Sequence, residues 1–100
     1  MFVIILTYQV PISDVDRVRP AHLEYLERFY ATDTFLLSGR QVNPDGGTPR
    51  GGVIIANIAS KEAVEAIMQD DPFITEGIAE YEIIEFDVNK YHGALEGVIV

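Results

Sequence analysis

The chain has 100 residues, with sixteen acids against seven Lys and Arg and a formal net charge of −9. A nucleic-acid binder must neutralise phosphates with clustered cations. Here only Arg17 and Arg19 lie close together, so nucleic acid and anionic membranes are excluded as expected partners. There is no cysteine, which rules out a disulfide framework and thiolate metal sites. The length suits one domain over residues 1–100, burying roughly 60–65% of the surface its unfolded chain exposes.

The opening "MFVIILTYQV" is apolar but carries no basic n-region and no small-residue cleavage site, and it is too short to span a bilayer. It reads as a strand, and the expectation is a soluble, cytoplasmic protein. Within it, residues 2–9 run apolar on both faces, as a strand does when both sides are covered. Pro11 ends that strand. Ser13, Asp14 and Asp16 offer N-caps to a helix from about residue 14 to about Tyr30. Val15, Val18, His22, Leu26 and Phe29 recur at steps of three and four and form its buried stripe, with Asp16, Arg17, Glu24, Glu27 and Arg28 opposite. Pro20 removes a donor and crowds the preceding turn, which predicts local distortion.

Residues 34–42 form the second predicted strand, with Gly39 a bulge or a point of close approach. "NPDGGTPRGG" is the strongest turn signal in the chain. Residues 52–58 form a third strand in hairpin with the second. Ser60 caps a short helix in which Ala63, Val64, Ile67 and Met68 face inward. "DDPF" stops it, because Pro72 disfavours helical geometry at Asp71. Residues 80–88 are the fourth strand, with Ile84, Phe86 and Val88 apolar and Glu85 and Asp87 pointing the other way. Residues 89–100 are a tail outside the 1–88 core. Its "GVIV" end either joins an interface, pairs with a sheet edge, or frays.

The order strand, helix, strand, strand, helix, strand predicts an α+β, ferredoxin-like βαββαβ fold with a four-stranded antiparallel sheet. Right-handed crossovers place both helices on one sheet face. The uncovered apolar face then calls for a second copy, so the expectation is a homodimer.

His22 is the residue that this scheme does not absorb as simple core. The two helices run antiparallel, so the early turns of the first lie near the end of the second, and His22 can meet Asp71. Asp70 is placed to make the same contact. A carboxylate on one imidazole nitrogen fixes the tautomer and leaves the other nitrogen for general acid–base work. Against this stand two bland readings: a core histidine satisfied by a carbonyl or water, and an Asp before Pro acting only as a turn or cap residue.

"RPAHLEYL", "LLSGRQ" before a glycine-bearing turn, and "DPFITEGIAEYEIIEF" together resemble the YciI-like (YCII-related) proteins from the first strand to about Val88. The resemblance implies a dimeric α+β barrel and an active site built on a His–Asp pair, here His22 and Asp71. It maps the Ser-Gly of the family's second strand onto Ser38 and Gly39. One branch of that family removes chloride from chlorinated hydroxylated aromatics. This chain departs from the pattern at Arg40, where the family usually has Pro. Arg40 either points a cation into the pocket, selecting an anionic or enolate-forming substrate, or faces solvent or pairs with an acid.

Other candidates carry less. No nucleophile elbow surrounds Ser38, so a hydrogen-bonding role in the pocket fits it better. Tyr8, Tyr25 and Tyr81 line a cavity or simply pack. His92 sits in a polar tail and reads as solvated. Two His without Cys show no ligand spacing, so no metal is expected. The glycine-rich stretches open no helix and are no phosphate loop. The sequence therefore points to a small cofactor-independent enzyme doing elimination or isomerisation on a small organic molecule, with His22 as base, Asp71 orienting it, and Ser38, Gly39 and Arg40 at the substrate. The alternative is a dimer that binds or senses a small molecule without turnover.

Overall fold

A computed structural model describes residues 1–99; position 100, the last of the "GVIV" tail, lies outside the described residues. The elements are β1 (Phe2–Tyr8), α1 (Ile12–Tyr30), β2 (Phe35–Arg40), β3 (Gly51–Ala56), α2 (Lys61–Gln69), α3 (Pro72–Thr75) and β4 (Ala79–Glu85). The four strands form one sheet in the order β2-β3-β1-β4, with every neighbouring pair antiparallel. This is the expected ferredoxin-like arrangement, with α3 as an additional turn of helix.

Register decides which face is core. Leu6 stands opposite Gly52 and Tyr81, and Ile4 opposite Ile54 and Ile83. Phe2, Ile4, Leu6, Ile54 and Ala56 are buried and pack with Val15, Val18 and Leu26 of α1, Val64 and Met68 of α2, and Phe73 of α3. Burying an aliphatic or aromatic side chain of this size contributes roughly 1.5–3 kcal/mol, so the helices are held to the sheet by this one layer. On the other face, Val3 and Ile5 lie beside Ile55, Val53 and Ile84. Among the described residues none of α1, α2 and α3 covers that face; the tail, with a short 3-10 turn over Gly93–Leu95, shares a cavity with Leu37 and Ile55 at one end of it, and Leu37 and Ile84 are 62% and 49% exposed.

Several local expectations are corrected. α1 begins at Ile12, with Pro11 at the N-cap position and no side-chain cap. Pro11 already has the extended geometry that launches a helix, so Ser13 and Asp14 fall inside the first turn. The helix continues through Pro20, whose ring sits on the exposed side. In β2 the register shift lies between Phe35 and Leu37, and a Cβ on Gly39 would meet nothing within 4 Å. Gly39 is therefore neither bulge nor close approach. Gly51 is the close approach, since a Cβ there would sit 1.8 Å from the Leu6 carbonyl oxygen. Ala63 is exposed, and α2 buries Val64 and Met68. β4 stops at Glu85, so Phe86 and Val88 lie beyond it; within it Ala79, Tyr81 and Ile83 face the helices while Ile84 faces away. The tail neither pairs with a sheet edge nor frays where it is described: Asn57 Nδ2 donates to the Val98 carbonyl at 2.8 Å.

Candidate active site

α1 places His22 on its buried stripe, 6% exposed. Asp71 is fully buried between α2 and α3. The imidazole Nδ1 lies 2.8 Å from Asp71 Oδ1 and 3.0 Å from Oδ2. A carboxylate there accepts only, so Nδ1 carries the proton and, in the neutral ring, Nε2 keeps the lone pair. Asp71 is also the N-cap of α3, accepting the Phe73 backbone N–H at 2.9 Å. Capping and pairing with His22 are thus both true of one side chain. Asp70 is exposed at the C-cap position of α2 and does not make the contact.

The same turn sets the plane of the imidazole. Phe73 stacks on the His22 ring with centroids 3.9 Å apart and the planes 7° from parallel. Tyr8 meets Phe73 edge-on at 5.9 Å. Asp71 therefore holds the ring by its edge and Phe73 holds it by its face. Among the described residues no hydrogen bond reaches Nε2.

His22 lines a cavity of about 90 Å³ between α1 and the β2-β3-β1 part of the sheet. Ser38 and Arg40, at register positions opposite Ile54 and Gly52, reach it from β2, and Gly39 contributes to its wall. Tyr30 donates a short hydrogen bond to Ser38 Oγ, which leaves the Ser38 hydroxyl proton available. Arg40 Nη2 donates to Asp16 Oδ1 at 2.8 Å. That bond, with Tyr8 beside it, holds the guanidinium pKa above its ordinary value against the opposing effect of burial. Arg40 thus pairs with an acid, as one of its two expected placements had it, and it also lines the cavity.

Arg19, Phe73 and Leu23 also line this space and were not singled out from the sequence. The signal for Arg19 was its i, i+3 spacing to His22, which puts the two on neighbouring positions of one helix face. Tyr25 lies outside the cavity: its hydroxyl donates to the Ile67 carbonyl at 2.7 Å and ties α1 to α2. Burial, and then the nearby Asp70 and Asp71 charges, push the Tyr25 phenol up. His92 is exposed and its Nδ1 accepts the Ala94 N–H. Among the described residues no three or more His, Asp or Glu side chains converge as metal ligands, and no helix is long and apolar enough to cross a membrane.

The YCII-related domain matches residues 1–87. The chain belongs to the YCII-related family. Among solved structures, this YCII-related chain is similar to 5-chloro-2-hydroxyhydroquinone dehydrochlorinase (TftG) from Burkholderia phenoliruptrix AC1100, in complex with 2,5-dihydroxybenzoquinone. Identity is 22%, with 87% of this chain and 94% of that one covered and a TM-score of 0.72. At that identity the likeness concerns the fold alone, the α+β arrangement with a four-stranded antiparallel sheet. No curated protein matches the chain.

Proposed function

We propose that this YCII-related protein is a small cofactor-independent enzyme that removes a proton from a small organic molecule, with elimination or isomerisation following. The observation that carries the reading is the asymmetry of His22. Its Nδ1 is held by both oxygens of a buried carboxylate, while Nε2 has no protein partner among the described residues and its ring lines a cavity. A purely structural imidazole has both nitrogens satisfied. In the proposed step Nε2 takes a proton from substrate carbon or oxygen, and the electron pair left behind forms a double bond. The leaving group departs with its own bonding pair, or the proton returns at another atom. The Asp71 carboxylate faces the imidazolium that forms. Ser38, Gly39 and Arg40 hold the substrate.

The apolar face of the sheet away from the helices supports a homodimer, and the proposed setting is the cytoplasm. The activity that the structural neighbour is named for gives the first substrate class to try: chlorinated hydroxyhydroquinones, with chloride release as the readout. On any substrate that is turned over, His22→Gln should lower kcat by about 10²–10⁴, the usual contribution of a positioned acid–base group. Wild-type rates in His22→Gln and Asp71→Asn would overturn the assignment. Saturable binding with no product at any pH would instead favour the binding or sensing dimer.

A further inference from the structure

The cavity in front of His22 is charged against the grain of the molecule. The chain carries sixteen acids and seven Lys and Arg, yet the ionisable residues lining this cavity are Arg19, Arg40 and His22, together with the Tyr8 phenol, and no Asp or Glu is among them. The two acids nearest these groups are already engaged: Asp16 with Arg40 and Asp71 with His22. A negatively charged protein repels anions at long range, so acceptance of one must be arranged locally.

Arg40 shows how. Asp16 holds the guanidinium by Nη2 and the Tyr8 phenol lies beside it, while Arg40 Nε is buried and makes no hydrogen bond among the described residues. Buried N–H groups are nearly always partnered. The guanidinium therefore has donors to spare on a residue that lines the cavity, which marks a place for an acceptor brought from outside. Guanidinium forks match carboxylates in shape and charge better than a lysine ammonium does. The rest of the wall is mostly apolar, with Leu6, Ile54 and Phe73, and Ser38 provides a hydroxyl.

We propose that this cavity takes the carboxylate of a small organic acid, with Arg40 and Arg19 holding the carboxylate and His22 facing the acid's carbon skeleton. This rests on the reading of His22 as the base and names its substrate class. The volume of about 90 Å³ is below the roughly 150 Å³ that accommodates benzene in an apolar cavity. The acid is therefore short, or part of it projects from the mouth.

The test is binding, read separately from turnover. Crotonate and salicylate are titrated against their neutral amides, crotonamide and salicylamide, with inorganic phosphate as a third arm. Affinity is taken from calorimetry and from the shift of the His22 imidazole resonances. The acids should bind at least tenfold more tightly than the amides. Arg40→Gln should remove that preference while leaving the weak amide affinity and the thermal midpoint in place. Arg40→Lys, which keeps the charge and loses the Nε donor, should fall between. Equal binding of acids and amides, or full acid preference in Arg40→Gln or Arg40→Lys, overturns the proposal, as does binding of phosphate alone. Acid preference retained in a His22→Gln protein that has lost turnover supports both readings. Acid preference lost in Arg40→Gln supports the carboxylate site whatever the turnover of that variant, and turnover lost in His22→Gln supports the base, so a failure of one leaves the other measurable.

Discussion

Replacing Asp71 with Ala removes two interactions at once, and both can be sized. The first is the cap on α3, the 2.9 Å bond from Phe73 N–H, where loss of an Asp cap costs about 0.5–2 kcal/mol. The second is the acceptor for His22 Nδ1–H, which would be left unsatisfied at a residue only 6% exposed, costing about 1–3 kcal/mol. Together they predict destabilisation of about 3 kcal/mol, or a fall in Tm of about 12–24 °C at the roughly 4–8 °C per kcal/mol expected for a domain of this size. The assay is thermal and urea unfolding at matched protein concentration, because any association makes the midpoint concentration-dependent. Asp70→Ala is the control: Asp70 is exposed, and its loss should stay within about 0.5 kcal/mol. An Asp71→Ala midpoint within about 3 °C of wild type would refute the reasoning, since the buried pair would then be contributing nothing. The same logic singles out His22→Gln over His22→Ala for activity work. Removing the imidazole outright leaves a buried carboxylate without its partner, at about 3–5 kcal/mol, while Gln still offers an N–H.

Gly51→Ala should lose several kcal/mol or fail to fold, because its Cβ would be driven into the Leu6 carbonyl, whereas Gly39→Ala should leave urea stability within about 1 kcal/mol. The Tyr25 phenol is raised by burial and by Asp70 and Asp71. Its contribution to stability is therefore complete below the ordinary tyrosine value and is lost as pH rises through the higher folded value; Tyr81 and Tyr91 are raised as well, so absorbance titration at 295 nm should show one fewer late-titrating phenol in Tyr25→Phe. Leu37→Lys with Ile84→Glu puts charges on the sheet face away from the helices, and should convert the proposed dimer to a monomer in sedimentation without changing far-UV circular dichroism.

The parts of the fold that were legible in the sequence are those written in local periodicity. Val15, Val18, His22 and Leu26 announce the buried side of α1, and the strand order followed from β-branched runs separated by strong turn signals. What escaped was set by partners far along the chain. The phase of β4 depends on Leu6 meeting Tyr81 and Ile4 meeting Ile83, and the apolar Ile84 gave a misleading cue because it belongs to the other face. Gly39 and Gly51 look alike as letters; only the position of the Leu6 carbonyl distinguishes them. α3 is four residues long, too short for a periodic signal, and exists because Asp71 caps it and Pro72 starts it. That His22 and Asp71 approach each other followed from topology, but the stack of Phe73 on His22 did not, since it required knowing that the chain turns again immediately after Asp71.

That extra turn connects stability with chemistry. Were α2 simply to run out at Asp70, an aspartate after it would sit on a loop with freedom to leave His22. Instead the backbone of α3 holds Asp71 through Phe73 N–H, and the Phe73 side chain closes over the ring that Asp71 pairs with. Edge, face and backbone attachment of the imidazole are thereby fixed before any substrate arrives, and Nε2 is the one ring nitrogen left without a protein partner among the described residues. In the proposed reaction, orientation prepared during folding would not have to be supplied again, which is how a positioned base gains over one in solution. A fold concerned only with stability would do as well or better with an apolar pair at these two positions, because replacing both partners of a buried hydrogen bond with apolar groups of the same shape is often neutral or stabilising.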